Sequence, residues 1–319
     1  MFNRYIRKIT KLENTDDILP NNGFYATSIS KIGGKKFLIK TTNSTGYHNN
    51  EVYLTSIMEL LLWPNNSVHD IMIYESANKL DKITQQDEAK IQIASQVIED
   101  TEDLMNKIRN NQLNLEKKPQ NLVSSLLVSI ITGNMDTHGG NILVDNNNKF
   151  YIIDPLIRSK NNKFNNSSTF SDDLEEKYTE FIGSLNLNNV KKQTIELFEW
   201  YLERQSESME TISNYFLQNN DGNEKFISEV TSISQITQKI QDEKIIRKLI
   251  SLMTDDEILE EIKAVKDNFI KNKNEIMKLG EFFESTETFE NFGKKGIPEG
   301  HINVVLDRLE SLNNSALFK

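Results

Sequence analysis

A hydrophobic helix pattern, followed after a short polar loop by a β-hairpin pattern, constrains this chain more than any other feature. Pro119 suits the first turn of a helix, and Gly133 suits its end. Between them, six apolar residues recur at helical spacing: Leu122, Val123, Leu126, Leu127, Ile130 and Ile131. The width of this apolar face predicts a helix that is buried on most of its circumference.

The hairpin pattern begins eight residues after Gly133. Residues 141–144 and 150–153 read as β-strands, and the Asp-Asn-Asn-Asn sequence of 145–148 reads as the turn between them. Pairing of the two strands brings the first residue of one close to the end of the other. We therefore expect Asn141 and Asp154 to be neighbours.

Asp136, on the loop before the hairpin, adds a third oxygen-bearing side chain. Mg²⁺ is a hard cation that takes carboxylate and carbonyl oxygens, which Asp154 and Asn141 can supply. Asp136 can then orient an acceptor hydroxyl and accept its proton during phosphoryl transfer. The simpler alternative is that Asp136 and Asn141 cap a turn and that Asp154 merely ends a strand.

Composition excludes several other chemistries. The 319 residues contain no cysteine, which excludes disulfides, thiolate nucleophiles and Cys-ligated zinc, and the four histidines lack zinc-helix spacing. The formal net charge of −10 argues against DNA as a partner. No apolar run is long enough for a transmembrane helix, and the N-terminus does not read as a secretory signal peptide.

The first 80 residues differ in texture from the rest. Three runs read as strands: 24–30, 36–40 and 70–74. Gly33 and Gly34 suit the turn between the first two, and a helical pattern runs from about Asn50 to Pro64.

Beyond this part the patterns are mostly helical. A helix is predicted from Thr84, with Ile91, Ala94, Val97 and Ile98 at helical spacing. Another begins with the capping box at 254–257 and ends near Gly280. The predicted class is α+β, with an N-terminal lobe over 1–80 and a helical lobe over 81–319 that contains a catalytic loop at 133–155.

The polar loop resembles the kinase superfamily. Asp136 to Asn141 has its D-x-x-x-x-N spacing, followed by a strand that ends in Asp154. With His138 two residues after Asp136, the order is more similar to phosphatidylinositol kinases and HipA-type kinases than to eukaryotic protein kinases. Asp154-Pro155-Leu156 departs from the family's D-F-G, so control by a flipping Phe-Gly motif is not expected.

The resemblance implies a bilobal kinase-like fold that uses ATP with Mg²⁺ or Mn²⁺. It implies catalytic roles for Asp136 and His138 and metal ligation by Asn141 and Asp154. For His138 the alternative is a structural role, in which its ring bonds the loop backbone.

Lys40 and Glu51 resemble the strand lysine and helix acid of the family's nucleotide site. The alternatives are a solvated edge-strand lysine and an exposed first-turn acid. A phosphate-covering loop is expected over 28–34, with nucleotide contacts from these four residues: Ser28, Ser30, Gly33 and Gly34.

A basic set stands out on an acidic chain: Lys35, Lys36, Arg158, Lys160 and Lys163. It reads either as solvated lysines or as an anion site for an inositol phosphate, bound as substrate or activator.

Three functions remain open at this point. The first is a protein Ser/Thr kinase, resembling secreted effectors of intracellular bacteria such as Legionella, with a host protein as one class of substrate. That resemblance implies the bacterial cytoplasm or, after secretion, the host cytosol. The second is a phosphoinositide or inositol-phosphate kinase, and the third is a nucleotide-binding pseudokinase. An aminoglycoside-type phosphotransferase fits less well, because Met135 stands where that family has His.

Overall fold

The computed structural model describes residues 6–8, 13–14, 26–32, 35–41, 58, 61–62, 70–74, 91–134, 137–153, 172–219, 224–284 and 301–319. Its strands are β1 Ile6–Lys8, β2 Glu13–Asn14, β3 Ala26–Ile32, β4 Lys35–Thr41, β5 Asp70–Tyr74, β6 Ile91–Gln96, β7 Thr101–Asp103, β8 Ile142–Asp145 and β9 Phe150–Ile152. Its helices are α1 Leu104–Arg109, α2 Leu122–Thr132, α3 Asp172–Gly183, α4 Val190–Asn219, α5 Glu224–Asp242, α6 Ile245–Ser251, α7 Asp255–Glu284 and α8 His301–Asn313. Short 3₁₀ turns lie at Leu187–Asn189 and Ala316–Phe318.

The larger sheet has six strands in the order β1-β5-β6-β4-β3-β2. Only β1 and β5 pair in parallel, and every other pair is antiparallel. The predicted first hairpin is confirmed as β3 and β4, and the predicted strand at 70–74 is confirmed as β5. Since β4 lies between β3 and β6, it is an inner strand of this sheet.

The helix predicted from Thr84 is wrong over its described part. Residues 91–96 form β6, which pairs with both β4 and β5. The apolar spacing of this segment fits either period, but β-branched residues at Ile91 and Ile93 favour an extended backbone. A division of the chain at residue 80 would separate β6 from its sheet, so we propose a division after Gln96.

The second sheet contains the predicted catalytic hairpin and has the order β7-β8-β9. Its turn is built as predicted, because one carboxylate oxygen of Asp145 accepts hydrogen bonds from the backbone N–H groups of Asn147 (2.7 Å) and Lys149 (2.9 Å). Asn148 has a left-handed backbone, with φ of 63°. Its buried amide donates to the carbonyl of Lys117 at 2.7 Å, which ties the turn to the preceding segment.

Helix α2 lies in the middle of the helical core, and all 11 of its residues are buried. It ends as predicted at Gly133, whose φ of 70° is a conformation that glycine adopts without strain. It begins later than Pro119, because Asn121 has a left-handed backbone, with φ of 66°, and breaks the helix there.

Helix α7, which is 30 residues long like α4, starts with the expected capping box. The backbone N–H of Thr254 donates to the Glu257 carboxylate (2.7 Å), and the N–H of Glu257 donates to the Thr254 hydroxyl (3.2 Å). The helix continues four residues beyond Gly280, to Glu284.

Helix α7 also contacts Leu61, which with Met58 and Leu62 is one of three described helical residues in this part of the chain. These three residues belong to the helix predicted from Asn50, and they are buried in the helical core. The amide of Asn272 on α7 donates to the carbonyl of Leu61 at 2.6 Å. The predicted α+β class is confirmed, with a small β-rich N-terminal part and a mostly helical remainder, which is the layout expected of a kinase-like fold.

Candidate functional site

The loop between α2 and β8 carries the predicted catalytic residues. Its described residues, Asn134 and 137–141, are buried or half-buried. Met135 and Asp136 lie outside the described residues, which end at Asn134 and resume at Thr137. From here on, the catalytic loop means residues 134–141, the part of the predicted 133–155 segment that precedes β8.

Two buried side chains of helix α4 hydrogen-bond to the catalytic loop, on the side that we call its back. The hydroxyl of Tyr201 donates to the carbonyl oxygen of Asn134 at 2.6 Å and lies 2.8 Å from the hydroxyl of Thr137. The amide of Gln205, one turn later, approaches the same Asn134 oxygen at 3.4 Å. All four of these side chains are buried. The positions on either side of Asp136 are therefore fixed by one helix.

The front of the loop is shaped by His138 and two glycines. The Nδ1 atom of His138 accepts a hydrogen bond from the N–H of Gly140 at 3.0 Å, so this nitrogen is occupied by the loop itself. A Cβ atom at Gly140 would lie 2.9 Å from the His138 ring. The carbonyl of Gly139 accepts a bond from the N–H of Met105 at 3.0 Å. The contact fits the structural alternative for His138, and direct participation in transfer stays a prediction.

Asn141 lies immediately before β8 and links the loop to the hairpin. Its N–H donates to the carbonyl of His138 at 2.9 Å, and its own carbonyl accepts from the N–H of Ile153 at 2.9 Å. The two ends of the hairpin are therefore joined at this point, as expected. Asp154 is the next residue in sequence after Ile153, and it lies outside the described residues.

The side chains available for a metal ion are oxygen donors. In the described ranges no three His, Asp or Glu side chains converge on one point. Asn141 offers a carboxamide oxygen, and Asp154 would offer a carboxylate from the adjoining strand end. Such a donor set fits Mg²⁺ or Mn²⁺ rather than a softer metal.

The N-terminus of α2 is capped by a residue of α7. The carboxylate of Glu261 accepts from the N–H of Asn121 (2.8 Å), the N–H of Ser124 (2.9 Å) and the Ser124 hydroxyl (2.8 Å). It thereby satisfies donors that a helix start leaves open and places negative charge at the positive end of the helix dipole. Burial raises the pKa of Glu261, and the bonds from Ser124 and Asn121 oppose that rise only partly.

The C-terminus of α2 is capped by a residue of α8. The guanidinium of Arg308 donates to the carbonyls of Ile130 (2.6 Å) and Ile131 (3.3 Å), and only 1 % of this residue is exposed. Its charge lies at the negative end of the helix dipole. The same guanidinium lies 5.3 Å from the ring centre of Tyr178 on α3, within range of a cation–π contact.

Sequence reasoning missed Glu261, Arg308 and Tyr201. For the first two a signal was present, because each charge lies on the apolar face of its helix. Glu261 falls between Ile258 and Val265, and Arg308 falls between Val305 and Leu312, at spacings of three and four residues in both cases. A charge at a core position predicts a buried partner. Tyr201 carried no such signal.

The predicted nucleotide residues are described only in part. Lys40 lies on the inner strand β4, opposite Thr27 on one side and Ile93 on the other, so the edge-strand alternative is wrong. Ser28 and Ser30 belong to β3 and pair with Ile39 and Phe37 of β4. The segment predicted as a loop over 28–34 is therefore strand through Ile32. Gly33, Gly34 and Glu51 lie outside the described residues.

Of the predicted anion site, only two members are described. Lys35 and Lys36 are exposed at the start of β4. Arg158, Lys160 and Lys163 lie outside the described residues. The anion site therefore stays a prediction.

A cavity of about 570 Å³ opens in front of the catalytic loop. The loop contributes His138, Gly140 and Asn141 to its wall, α1 contributes Arg109, and α5 contributes Ser232. The predicted metal ligand Asn141 thus faces a space large enough for part of a substrate.

Comparison with known proteins adds little. No protein-family model matches the sequence, and no curated protein does. One matching solved structure is that of a Helicobacter pylori proinflammatory kinase, CtkA, at 13 % sequence identity. The match covers 76 % of this chain and 99 % of that chain, with a TM-score of 0.35. A likeness this low carries no argument for the fold or function of this chain.

Among the described helices, none is both long and apolar enough to cross a membrane.

Proposed function

We propose that this chain is a kinase that transfers the γ-phosphate of ATP to a hydroxyl group, with a divalent metal bound by Asn141 and Asp154. The observation that carries the proposal is the 2.9 Å bond from the N–H of Ile153 to the carbonyl of Asn141. It closes the hairpin at the residue before Asp154 and does so next to the catalytic loop. In-line phosphoryl transfer depends on positioned oxygen ligands and charge neutralisation, and this arrangement can supply both.

Asp136 is proposed to orient the acceptor hydroxyl and accept its proton. The Oγ–P bond to the acceptor forms while the bond from the γ-phosphorus to the β,γ-bridging oxygen breaks, and ADP leaves. Lys40 is proposed to contact the α- and β-phosphates, which is supported by its place on an inner strand of the N-terminal sheet. The acceptor we favour is a Ser or Thr hydroxyl of a protein, and a host protein remains within this proposal.

A phosphoinositide or inositol-phosphate acceptor is the second candidate. It is supported by the exposed Lys35 and Lys36 at the start of β4, either of which could contribute to a site for a phosphorylated headgroup. The pseudokinase alternative predicts nucleotide binding without transfer.

Radiolabelled ATP distinguishes these functions. The chain is incubated with γ-labelled ATP and Mg²⁺ or Mn²⁺, together with generic protein, phosphoinositide or no added acceptor. We expect label in protein, and we expect Asp136→Ala and Asp154→Ala to lower it by about 10²-fold or more. Asp267→Ala, which removes an exposed carboxylate of α7, is the matched control and should leave labelling unchanged.

Label in lipid would favour the second candidate. Nucleotide binding without label in any acceptor would favour the pseudokinase alternative and reject phosphate transfer. Equal labelling by the Asp136, Asp154 and Asp267 variants would also reject the proposed site.

A further inference from the structure

The cavity in front of the catalytic loop is bordered by several side chains that can donate hydrogen bonds. Arg109 of α1, Ser228 and Ser232 of α5, and the side chain of Asn141 all border it. Asp103 is the one carboxylate among its described lining residues, and both of its oxygens are engaged. They accept bonds from the N–H of Asn106 (2.7 Å) and from its side-chain amide (2.6 Å).

Arg109 differs from the other arginines whose side chains are described. Arg204 pairs with Glu207 at 2.6 Å, and Arg247 binds both carboxylate oxygens of Glu199, at 2.9 and 2.5 Å. The third, Arg308, is buried and donates to the last carbonyls of α2. Each of these three guanidinium groups is therefore committed to a charged or buried partner within the chain.

Within the described ranges Arg109 makes no ion pair, and its contact is with the hydroxyl of Ser232, which also borders the cavity. An exposed arginine with no carboxylate partner among the described residues is unexpected on a chain with a net charge of −10. A guanidinium carries five N–H donors in a planar fork that matches a carboxylate, so most of its bonding capacity is left for a ligand.

We propose that this cavity binds the acceptor segment of a protein substrate and that Arg109 selects an Asp or Glu side chain on that segment. The inference rests on the proposed function for the identity of the transfer step, but the binding it predicts does not require turnover. The cavity is open to solvent, as a site for a segment of a larger molecule must be. Ser232 would keep the guanidinium directed into the cavity until the carboxylate arrives.

The charge of the whole chain makes this selection a short-range one. An acidic peptide is repelled at long range by a net charge of −10, so attraction has to come from direct contact with Arg109. Added salt screens the long-range repulsion more than the contact pair. We therefore expect moderate salt to weaken acidic-peptide binding less than it would on a basic surface.

Fluorescence anisotropy tests the binding directly. The probes are two labelled serine-containing peptides that differ only in having Glu or Lys on both sides of the serine. We expect the 319-residue chain to bind the Glu peptide at least about tenfold more tightly than the Lys peptide, and Arg109→Glu to reverse this preference. Lys248→Glu, which changes an exposed residue of α6 by the same charge, should keep it.

A preference that is absent in the wild type, or that Arg109→Glu and Lys248→Glu alter equally, would overturn the inference. Phosphate transfer is measured in parallel with a serine-centred peptide library. Labelled peptides without acidic selection would overturn the inference and leave the kinase proposal in place. Acidic-peptide binding that depends on Arg109 without labelling of any peptide would uphold the binding site and reject a protein acceptor for the transfer.

Discussion

The two sides of the catalytic loop are built in opposite ways. Behind the loop, Tyr201 and Gln205 are buried and bond its backbone, and Arg308 caps the helix that leads into it. In front of the loop, Arg109 is exposed and Ser232 is half-buried, and they border an open cavity.

The difference separates support from recognition. The buried side uses its polar groups to bond the chain itself, so substitutions there should act mainly on stability and positioning. The open side borders the cavity with exposed or half-buried residues, so substitutions there should act on ligands with less effect on folding. Each prediction below tests one side against the other.

Asn141→Ala, a substitution on the open side, should produce the largest effect of the variants below, and this effect should be on turnover. Loss of a metal ligand should lower turnover by about 10³-fold, while the melting temperature changes little, because the carboxamide is only half-buried. Steady-state kinetics and thermal melting measure the two effects. Asn146→Ala, in the exposed hairpin turn, is the control. A fall in melting temperature in proportion to the lost activity would contradict this division.

Arg308→Met should mark the buried side. The substitution keeps an unbranched chain but leaves the carbonyls of Ile130 and Ile131 without their donor, which should cost about 3 kcal/mol of unfolding free energy. Urea unfolding provides the measurement. Arg247→Met breaks an exposed pair with Glu199 and should cost about 1 kcal/mol or less. Equal costs for the two variants would show that burial of Arg308 does not matter.

Tyr201→Phe should affect both the stability of the fold and the position of the catalytic loop. Loss of the hydroxyl should cost about 1 kcal/mol of unfolding free energy, and displacement of the loop should lower kcat about tenfold with an unchanged KM for ATP. The hydroxyl lies 2.8 Å from Thr137, so Tyr201→Phe and Thr137→Val should be non-additive in a double-mutant cycle. Additive effects would mean that the two hydroxyls do not act together.

Glu261 should give the smallest effect, visible as a pH dependence. Because burial raises its pKa in the folded state, its contribution to stability is fully present below the unfolded value and is lost as pH rises through the folded value. The wild type should therefore gain stability relative to Glu261→Gln as pH falls from 7 towards 5. Urea unfolding across this range measures the difference. Glu260→Gln, on the exposed side of α7, should give no such trend.

Local patterns predicted the hairpin, α2 and the capping box because each depends on residues close in sequence. The Asp145 turn and the Gly133 stop are examples, since their bonds span no more than five residues. The segment at 91–96 was mispredicted because its strand state is stabilised by pairing with β4 and β5, which its own spacing does not encode.

The supports of the site could not be predicted in the same way. Tyr201 bonds a residue 67 positions earlier, and nothing local distinguishes it from other core tyrosines. Glu261 and Arg308 could be recognised as charges on apolar faces, but not matched to the two ends of α2. Those partners follow only from how α7 and α8 pack against it.

The wide separation of α2 from its caps also has a consequence for synthesis. Glu261 follows Asn121 by 140 residues, and Arg308 follows Ile130 by 178. At a ribosomal rate of about 5–20 residues per second, roughly 10 to 35 s pass before both caps exist. Helix α2 also packs against β9 and α4, which emerge earlier, but the faces that it presents to α7 and α8 leave it a partly uncovered apolar segment throughout that delay. Such a segment is the natural point of engagement for a chaperone on the growing polypeptide.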